Sequence, residues 1–410
     1  MRRLCCAVAA GCLLCAASLL AQEGVQRGKI KKVDADKRTL IITSGGKDHT
    51  IAVPDNARFM DEAGKPIEGR LTDKRIRAGA AVMFKTARKD GKEILQGVKL
   101  GANPVRQPPP KVDLSGLKPL TEMDKGEYKG SLGGLYPDGA NERPAAHEKA
   151  GLALAKQVRP LDADGKPAKD GKIVLLSVGM SNTTQEFSAF KQIADKDEDK
   201  NPHLVVVDGA QGGMTAAAIQ DVEGPRGKQF WNTVEERLKK ADVSPAQVQV
   251  AWLKEADANP NEGFPKYARK LQEELTNIVQ LMRQRFPNLK MVYLSSRIFG
   301  GYAKTRLNPE PYAYESAFSV KWLIERQLKG DAALNFDPAK GAIKAPWLSW
   351  GPYLWANGMT KRTDGLFWTE DDLGGDGTHP SPAGRRKVAE QLLRFFKNDS
   401  TAKPWFLAHG

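Results

Sequence analysis

The chain has 410 residues, a formal net charge of +14 and four cysteines, Cys5, Cys6, Cys12 and Cys15, all near its start. A chain that loses this leading segment has no disulfide, no thiolate metal site and no cysteine nucleophile. The positive charge is dispersed among acids, as in DADKR, KDEDK and EERLKK. No basic block or DNA- or RNA-binding motif is present, so nucleic acid is not an expected partner. The charge reads as a solvated surface with some attraction to anionic polymers outside a cell.

Residues 1–21 have the three parts of a secretory signal: basic Arg2 and Arg3, an apolar run from Leu4 to Leu20, and small residues leading to Ala21. Cleavage after Ala21 is the expectation, which places the mature protein in the periplasm or outside the cell. An uncleaved anchor is the alternative, although the run is short and rich in Ala and Cys. A lipoprotein cut before Cys12 is a second alternative, since Ala10-Gly11-Cys12 resembles a lipobox. No later segment is apolar and long enough to span a bilayer.

Residues 24–100 hold short runs dominated by Val, Ile, Thr and Phe: GKIKKVD, RTLIITS, HTIAVP, AAVMFKTA and EILQGVKL. Turn dipeptides separate several of them, and Asp90-Gly91 reads as a tight hairpin. About five strands of this kind predict a small all-β, antiparallel barrel-like domain. It contains a lone His49 and no paired carboxylates, so it reads as a binding or spacer module. Residues 101–110, GANPVRQPPP, form a proline-rich linker that cannot enter a sheet interior.

Residues 111–410 form the second domain. A helix is expected near Ala146 to Gln157. Four continuous apolar runs follow, at Lys172 to Gly179, Leu204 to Gly209, Val248 to Leu253 and Leu289 to Ser296. Each reads as a strand buried on both faces. Helical stretches at Thr183 to Ile193, Phe230 to Lys240 and Lys266 to Arg285 separate them, and a last helix spans about Ser381 to Phe396. The expected fold is α/β, a parallel sheet flanked by helices on both faces. Such sheets carry their sites at the carboxyl ends of the strands.

Gly179-Met180-Ser181-Asn182-Thr183 follows the first strand. A serine on a sharp strand-to-helix turn exposes its hydroxyl and aims its N–H where an oxyanion could sit. Serine at this place is also an ordinary helix cap. Gly209-Ala210-Gln211-Gly212-Gly213 follows the second strand and offers unhindered N–H donors, or a plain turn. Asp376-Gly377-Thr378-His379-Pro380 precedes the last helix. A carboxylate three residues before a histidine can orient that imidazole toward a serine. It also fits an exposed loop beside a helix-entry proline. The joint occurrence of the three blocks in this order carries the argument.

Their order, from Lys172 to Phe396, resembles the SGNH (GDSL-like) hydrolase superfamily, nearest the sialate O-acetylesterase and carbohydrate acetylesterase branch. There the serine block usually reads Gly-Gln-Ser-Asn, and here it is Gly179-Met180-Ser181-Asn182. The glycine of the second block matches Gly213 or its neighbour Gly212, and the last block matches Asp376-Gly377-Thr378-His379. The third block departs. In place of a Gln-Gly-Glu-x-Asp run stands Lys254-Glu255-Ala256-Asp257 after Trp252, shorter by one. Lys254 is either an oxyanion donor or a lysine paired with a neighbouring acid.

The resemblance implies an SGNH-like three-layer sandwich and acyl transfer. In that scheme Ser181 is the nucleophile, His379 the base, and Asp376 the group that fixes the imidazole. Gly212, Gly213 and Lys254 are the candidate oxyanion residues, and no metal or other cofactor is implied. Asn182 and Trp350 are the expected substrate contacts. Trp350 belongs to the aromatic run Trp347 to Trp355, which suits a sugar ring or else fills a core. Arg297 after the fourth run either binds a substrate carboxylate or caps the sheet. The expected substrate is a small-molecule or polysaccharide ester, with carbohydrate deacetylation favoured. A non-catalytic glycan-binding scaffold on the same fold, or a lipase or thioesterase, are the alternatives.

Overall fold

A computed structural model describes residues 25–62, 64–89, 91–101, 109 and 112–408. The expected signal at 1–21 and most of the linker at 101–110 lie outside the described residues. The described residues fall into two compact units, one ending at 101 and one beginning at 109.

The first unit is built from β1 (Val25–Asp34), β2 (Thr39–Ser44), β3 (Lys47–Ala52), β4 (Arg58–Met60), β5 (Ala81–Lys89) and β6 (Lys92–Leu100). The order is β3-β2-β1-β5-β6-β4, and β3 also pairs with β6, which closes five strands into a barrel. Ile30, Leu40, Ile42, Ile51, Val82, Phe84, Leu95 and Val98 fill its interior. They alternate with solvent-facing residues, as a period of two requires. β5 and β6 pair antiparallel through to Lys89 and Lys92, and Asp90 of the expected hairpin lies outside the described residues. The antiparallel expectation needs one correction. The closing pair β3–β6 and the added pair β4–β6 are parallel. Closing the barrel brings together strands distant in sequence, whose direction no hairpin dictates.

The second unit begins with the short pair β7 (Glu127–Tyr128) and β8 (Ser131–Leu132), then α1 (Ala145–Ala155). Its main elements are β9 (Ile173–Gly179), α2 (Ser181–Ala194), β10 (Leu204–Asp208), α3 (Ala216–Gln220), α4 (Pro225–Lys240), β11 (Val248–Lys254), α5 (Lys266–Arg285), β12 (Met291–Leu294), α6 (Tyr312–Leu328), β13 (Trp347–Trp350), α7 (Pro382–Asn398) and α8 (Lys403–Phe406). Five strands pair in the order β10-β9-β11-β12-β13, every pair parallel. All residues of β9, β11, β12 and β13 are buried. That is why these runs are apolar without alternation.

Among the elements absent from the sequence reading are β13 and α6. The aromatic run beginning at Trp347 opens with a strand, β13, at the sheet edge. α6 had no sequence counterpart because thirteen of its seventeen residues are buried, which leaves a weak amphipathic pattern to read. α7 is the contrasting case. Gly384, Val388, Ala389, Leu392 and Phe396 form a stripe, Pro382 occupies its first turn, and the Ser381 hydroxyl accepts from the Gly384 N–H. The stripe packs on α2, where Phe190 meets Phe396 at 5.4 Å between ring centres.

Candidate active site

Three segments converge at the carboxyl ends of β9 and β10 and ahead of α7. Gly179 ends β9, and a Cβ there would stand 2.3 Å from the Lys254 carbonyl oxygen and 2.5 Å from the Thr183 hydroxyl. Only glycine allows that approach. Met180 is extended and Ser181 opens α2. The first N–H groups of a helix have no partner within it, so this end is poised for negative charge.

The loop after β10 is fastened to this turn. The Ser177 hydroxyl donates to Asp208 Oδ1 at 2.6 Å. Asp208 Oδ2 accepts from the hydroxyls of Thr184 at 2.6 Å and Ser188 at 2.7 Å. The Gln211 N–H donates to the Gly179 carbonyl at 2.9 Å, and the Gln211 side chain donates to the Phe230 carbonyl at 2.8 Å. These bonds hold Gly212 close to the serine: a Cβ on Gly212 would sit 4.0 Å from Ser181 Cβ. Gly213 has φ +77°, with open space where its Cβ would be. Its carbonyl accepts from Arg226.

The third segment brings the imidazole. His379 Nε2 lies 2.8 Å from Ser181 Oγ, and His379 Nδ1 lies 2.6 Å from Asp376 Oδ2. Asp376 Oδ1 accepts from the backbone N–H groups of Thr378 and His379, each at 3.0 Å. Partial burial pushes the Asp376 carboxyl upward. The hydrogen bonds from the His379 ring and from these N–H groups outweigh it and hold the group well below the usual carboxylate range. Gly377 has φ +65°, and a Cβ there would fall 1.8 Å from the Tyr302 carbonyl oxygen. The turn is therefore closed to any larger residue. A hydroxyl, an imidazole and a carboxylate in line is the geometry that general-base activation of an alcohol requires.

The remaining sequence candidates fall elsewhere. Asn182 is buried, and its Nδ2 donates to the Thr378 carbonyl at 3.0 Å. It fastens the serine helix to the histidine loop and is not free to contact substrate. Trp350 as a sugar platform is corrected. It is 3% exposed, and its indole N–H donates to the Leu135 carbonyl at 2.7 Å, so its ring is core. Lys254 as an oxyanion donor is corrected too. It is fully buried and its ammonium is bound to Glu186 at 2.7 and 2.5 Å. Burial lowers its pKa to about 8, against the opposing pull of Glu186. The pairing acid is on α2, not the neighbouring Glu255 or Asp257. Arg297 is buried, with Nε and Nη1 lacking a partner among the described residues.

Glu186 and the Asp208 network were missed by sequence reasoning. Asp208 carried a signal, since it ends an apolar strand run where site residues concentrate. Glu186 carried none, because its partner is 68 positions away. Among the described residues no group of three or more His, Cys, Asp or Glu is placed to hold a metal ion, and no helix is long and apolar enough to cross a membrane.

No family model matches the chain, and no curated protein matches it by sequence. Solved structures similar to it over about 60% of its length include SGNH hydrolases and acylhydrolases by assignment. One from Bacteroides fragilis NCTC 9343, assigned as an acylhydrolase, is 15% identical, covering 63% of this chain and 100% of that one at a TM-score of 0.33. One from Slackia heliotrinireducens, assigned as an SGNH hydrolase, is 16% identical, covering 55% and 99% at 0.27. A further likeness, over 22% of this chain and 100% of that one, is to apo-CusF residues 6–88 from Escherichia coli, at 12% identity and a TM-score of 0.16.

Proposed function

We propose that this chain is a serine ester hydrolase of the SGNH type. Ser181 attacks the ester carbonyl as His379 takes its proton, and Asp376 holds the imidazole tautomer and stabilises its cation. His379 then protonates the leaving alcohol and draws a proton from the water that releases the acyl group. The carrying observation is the line of contacts from Ser181 Oγ to His379 Nε2 at 2.8 Å and from His379 Nδ1 to Asp376 Oδ2 at 2.6 Å. The Ser181 N–H and that of Gly213 or Gly212 receive the oxyanion. With Lys254 bound to Glu186, the hole relies on backbone donors. A missing donor costs about 3 kcal/mol of barrier, so turnover is slower than with a full set.

The finer reading is removal of acetyl groups from carbohydrate outside the cytoplasm. The signal-like residues 1–21 and the Gly179-Met180-Ser181-Asn182 block support it. A three-layer second domain, with helices on both faces, accords with the complete burial of β9, β11, β12 and β13.

The test is hydrolysis of p-nitrophenyl acetate by the wild type and by Ser181→Ala. The variant is expected to lose at least about a thousandfold in kcat/KM. Equal rates would favour a non-catalytic scaffold, the reading to which the engaged Lys254 points. Faster turnover of long-chain than of acetyl esters would replace the deacetylase by a lipase.

A further inference from the structure

The barrel has one strongly cationic outer face. In β1, β5, β6 and β4 the inward side chains include Ile30, Val82, Phe84, Val98 and Phe59, all buried. Their alternation turns Arg27, Lys29, Lys85, Lys99 and Arg58 outward. The register then arranges these cations in rows. Arg27 stands opposite Met83, Met83 opposite Lys99, and Lys99 opposite Met60. In the next row Val25 stands opposite Lys85, Lys85 opposite Gly97, and Gly97 opposite Arg58. Lys29 extends the face opposite Ala81. Neither row contains an acid. Strands are about 4.8 Å apart, so cations one or two strands apart act on one extended ligand.

Four acids of the barrel are paired with basic residues outside these rows. Asp48 pairs with Lys31, Asp55 with Arg38, Asp73 with Arg75, and Glu93 with His49. Among the described residues none of the five cations has a carboxylate within ion-pair distance. A field left uncancelled over one face attracts an extended polyanion.

The kind of polyanion follows from what the face lacks. Phe59 and Phe84 are the aromatic residues of the described barrel, and both lie inside it. Single-stranded nucleic acid is held by bases stacked on surface aromatics, and here there are none. Attachment to a bilayer needs bulky apolar side chains to insert beside the cations. The rows offer Gly97, the half-buried Met60 and Met83, and a single exposed valine, Val25, with no large aromatic or leucine side chain among them.

We infer that the outer face of β1, β5, β6 and β4 is a docking surface for an anionic polysaccharide bearing repeated carboxylates, bound by Arg27, Lys29, Lys85, Lys99 and Arg58. Recognition is electrostatic, so it selects charge density and not a particular sugar. The inference stands apart from the esterase reading, since it concerns a different unit of the chain. If both hold, the polymer is retained on the same chain as Ser181, and deacylation of a polymer gains from this face while that of a small ester does not.

The test uses the full chain and polygalacturonate, with neutral dextran, duplex DNA and phosphatidylglycerol vesicles for comparison. Polygalacturonate is expected to bind, with affinity falling about tenfold or more between about 50 and about 200 mM salt. Dextran should not bind. The triple variant Arg27→Glu, Lys85→Glu, Lys99→Glu should lose at least tenfold in affinity. An equal change of net charge at the exposed positions Lys37, Lys47 and Lys74 should cost less than threefold. Hydrolysis of p-nitrophenyl acetate should be the same in both triples, so failure of docking and failure of catalysis are read separately. Equal losses in the two triples, absence of polygalacturonate binding at low salt, or tighter binding to DNA or to vesicles would each overturn the proposal.

Discussion

The side-chain amide of Asn182 donates to the carbonyl of Thr378 at 3.0 Å, so the residue after Ser181 holds the residue before His379. The bond ties the first turn of α2 to the loop ahead of α7, and both of its ends are next to members of the Ser181–His379 pair. Its loss should loosen the pair without removing either member. Asn182→Ala is expected to lower kcat by ten- to a hundredfold, roughly what a misplacement of about 1 Å costs, with little change in KM. Stability should fall by about 1–3 kcal/mol, because a buried carbonyl is left without its donor. Steady-state kinetics and denaturant unfolding check both. A variant with wild-type kcat would show that the bond has no positioning role.

Asp376 is the second test. Its carboxyl is held ionised far into acid by the His379 ring and two backbone N–H groups. The acid limb of kcat/KM should therefore not arise from this carboxylate. Asp376→Asn should lower kcat by about 10³–10⁴-fold while the fold persists, since the amide supports the wrong tautomer. The sign for stability follows from the depressed folded pKa. The contribution is present above the unfolded value of about 4 and is lost as pH falls toward the folded one. The Asn variant should consequently show a shallower loss of stability below about pH 4. An unchanged acid unfolding profile would refute this assignment.

Lys254 and Glu186 form an ion pair with neither side chain exposed. Removing one partner strands the other charge in the interior. Lys254→Met is expected to cost about 3–5 kcal/mol, and the double replacement Lys254→Met with Glu186→Leu should recover most of that. Urea midpoints of the two variants decide the matter. A double variant no more stable than the single one would mean that the pair itself, and not the stranded charge, sustains the domain. The Lys254 carbonyl also accepts from the Thr183 hydroxyl at 2.6 Å, so the same strand end steadies the serine turn through its backbone.

Gly212 tests the space above the nucleophile. Its added Cβ would meet Ser181 Cβ at 4.0 Å, an ordinary contact that the fold tolerates. Gly212→Ala should therefore leave the melting temperature within about 2 °C of wild type, a shift below the few degrees that accompany 1 kcal/mol. Acetyl ester turnover should fall about tenfold through crowding of the acyl group, and bulkier acyl groups should lose more. A uniform loss for all acyl sizes would place Gly212 outside the acyl pocket.

Much of this architecture was legible because it is written locally. Runs such as VQVAWL carry their own burial signal, and the α7 stripe its own period. What escaped was what packing on all sides conceals. α6 is too deeply buried to show a polar face, and β13 was read as an aromatic cluster because tryptophan suits either a sugar ring or a core. The parallel closure of the barrel also escaped, since it joins strands with no hairpin between them.

By itself the sequence determined that a serine follows one buried strand, that two glycines follow the next, and that an aspartate precedes a histidine by three positions at the entry to the last long helix. Residue type and spacing carry these facts because they are properties of neighbouring residues. Only the tertiary structure decided that Lys254 turns inward to Glu186, that Trp350 fills the core, that Asn182 is a fastening, and that Asp208 anchors the glycine loop. Each of those roles depends on a partner remote in the chain, and burial and pairing come into being only when folding brings such partners together.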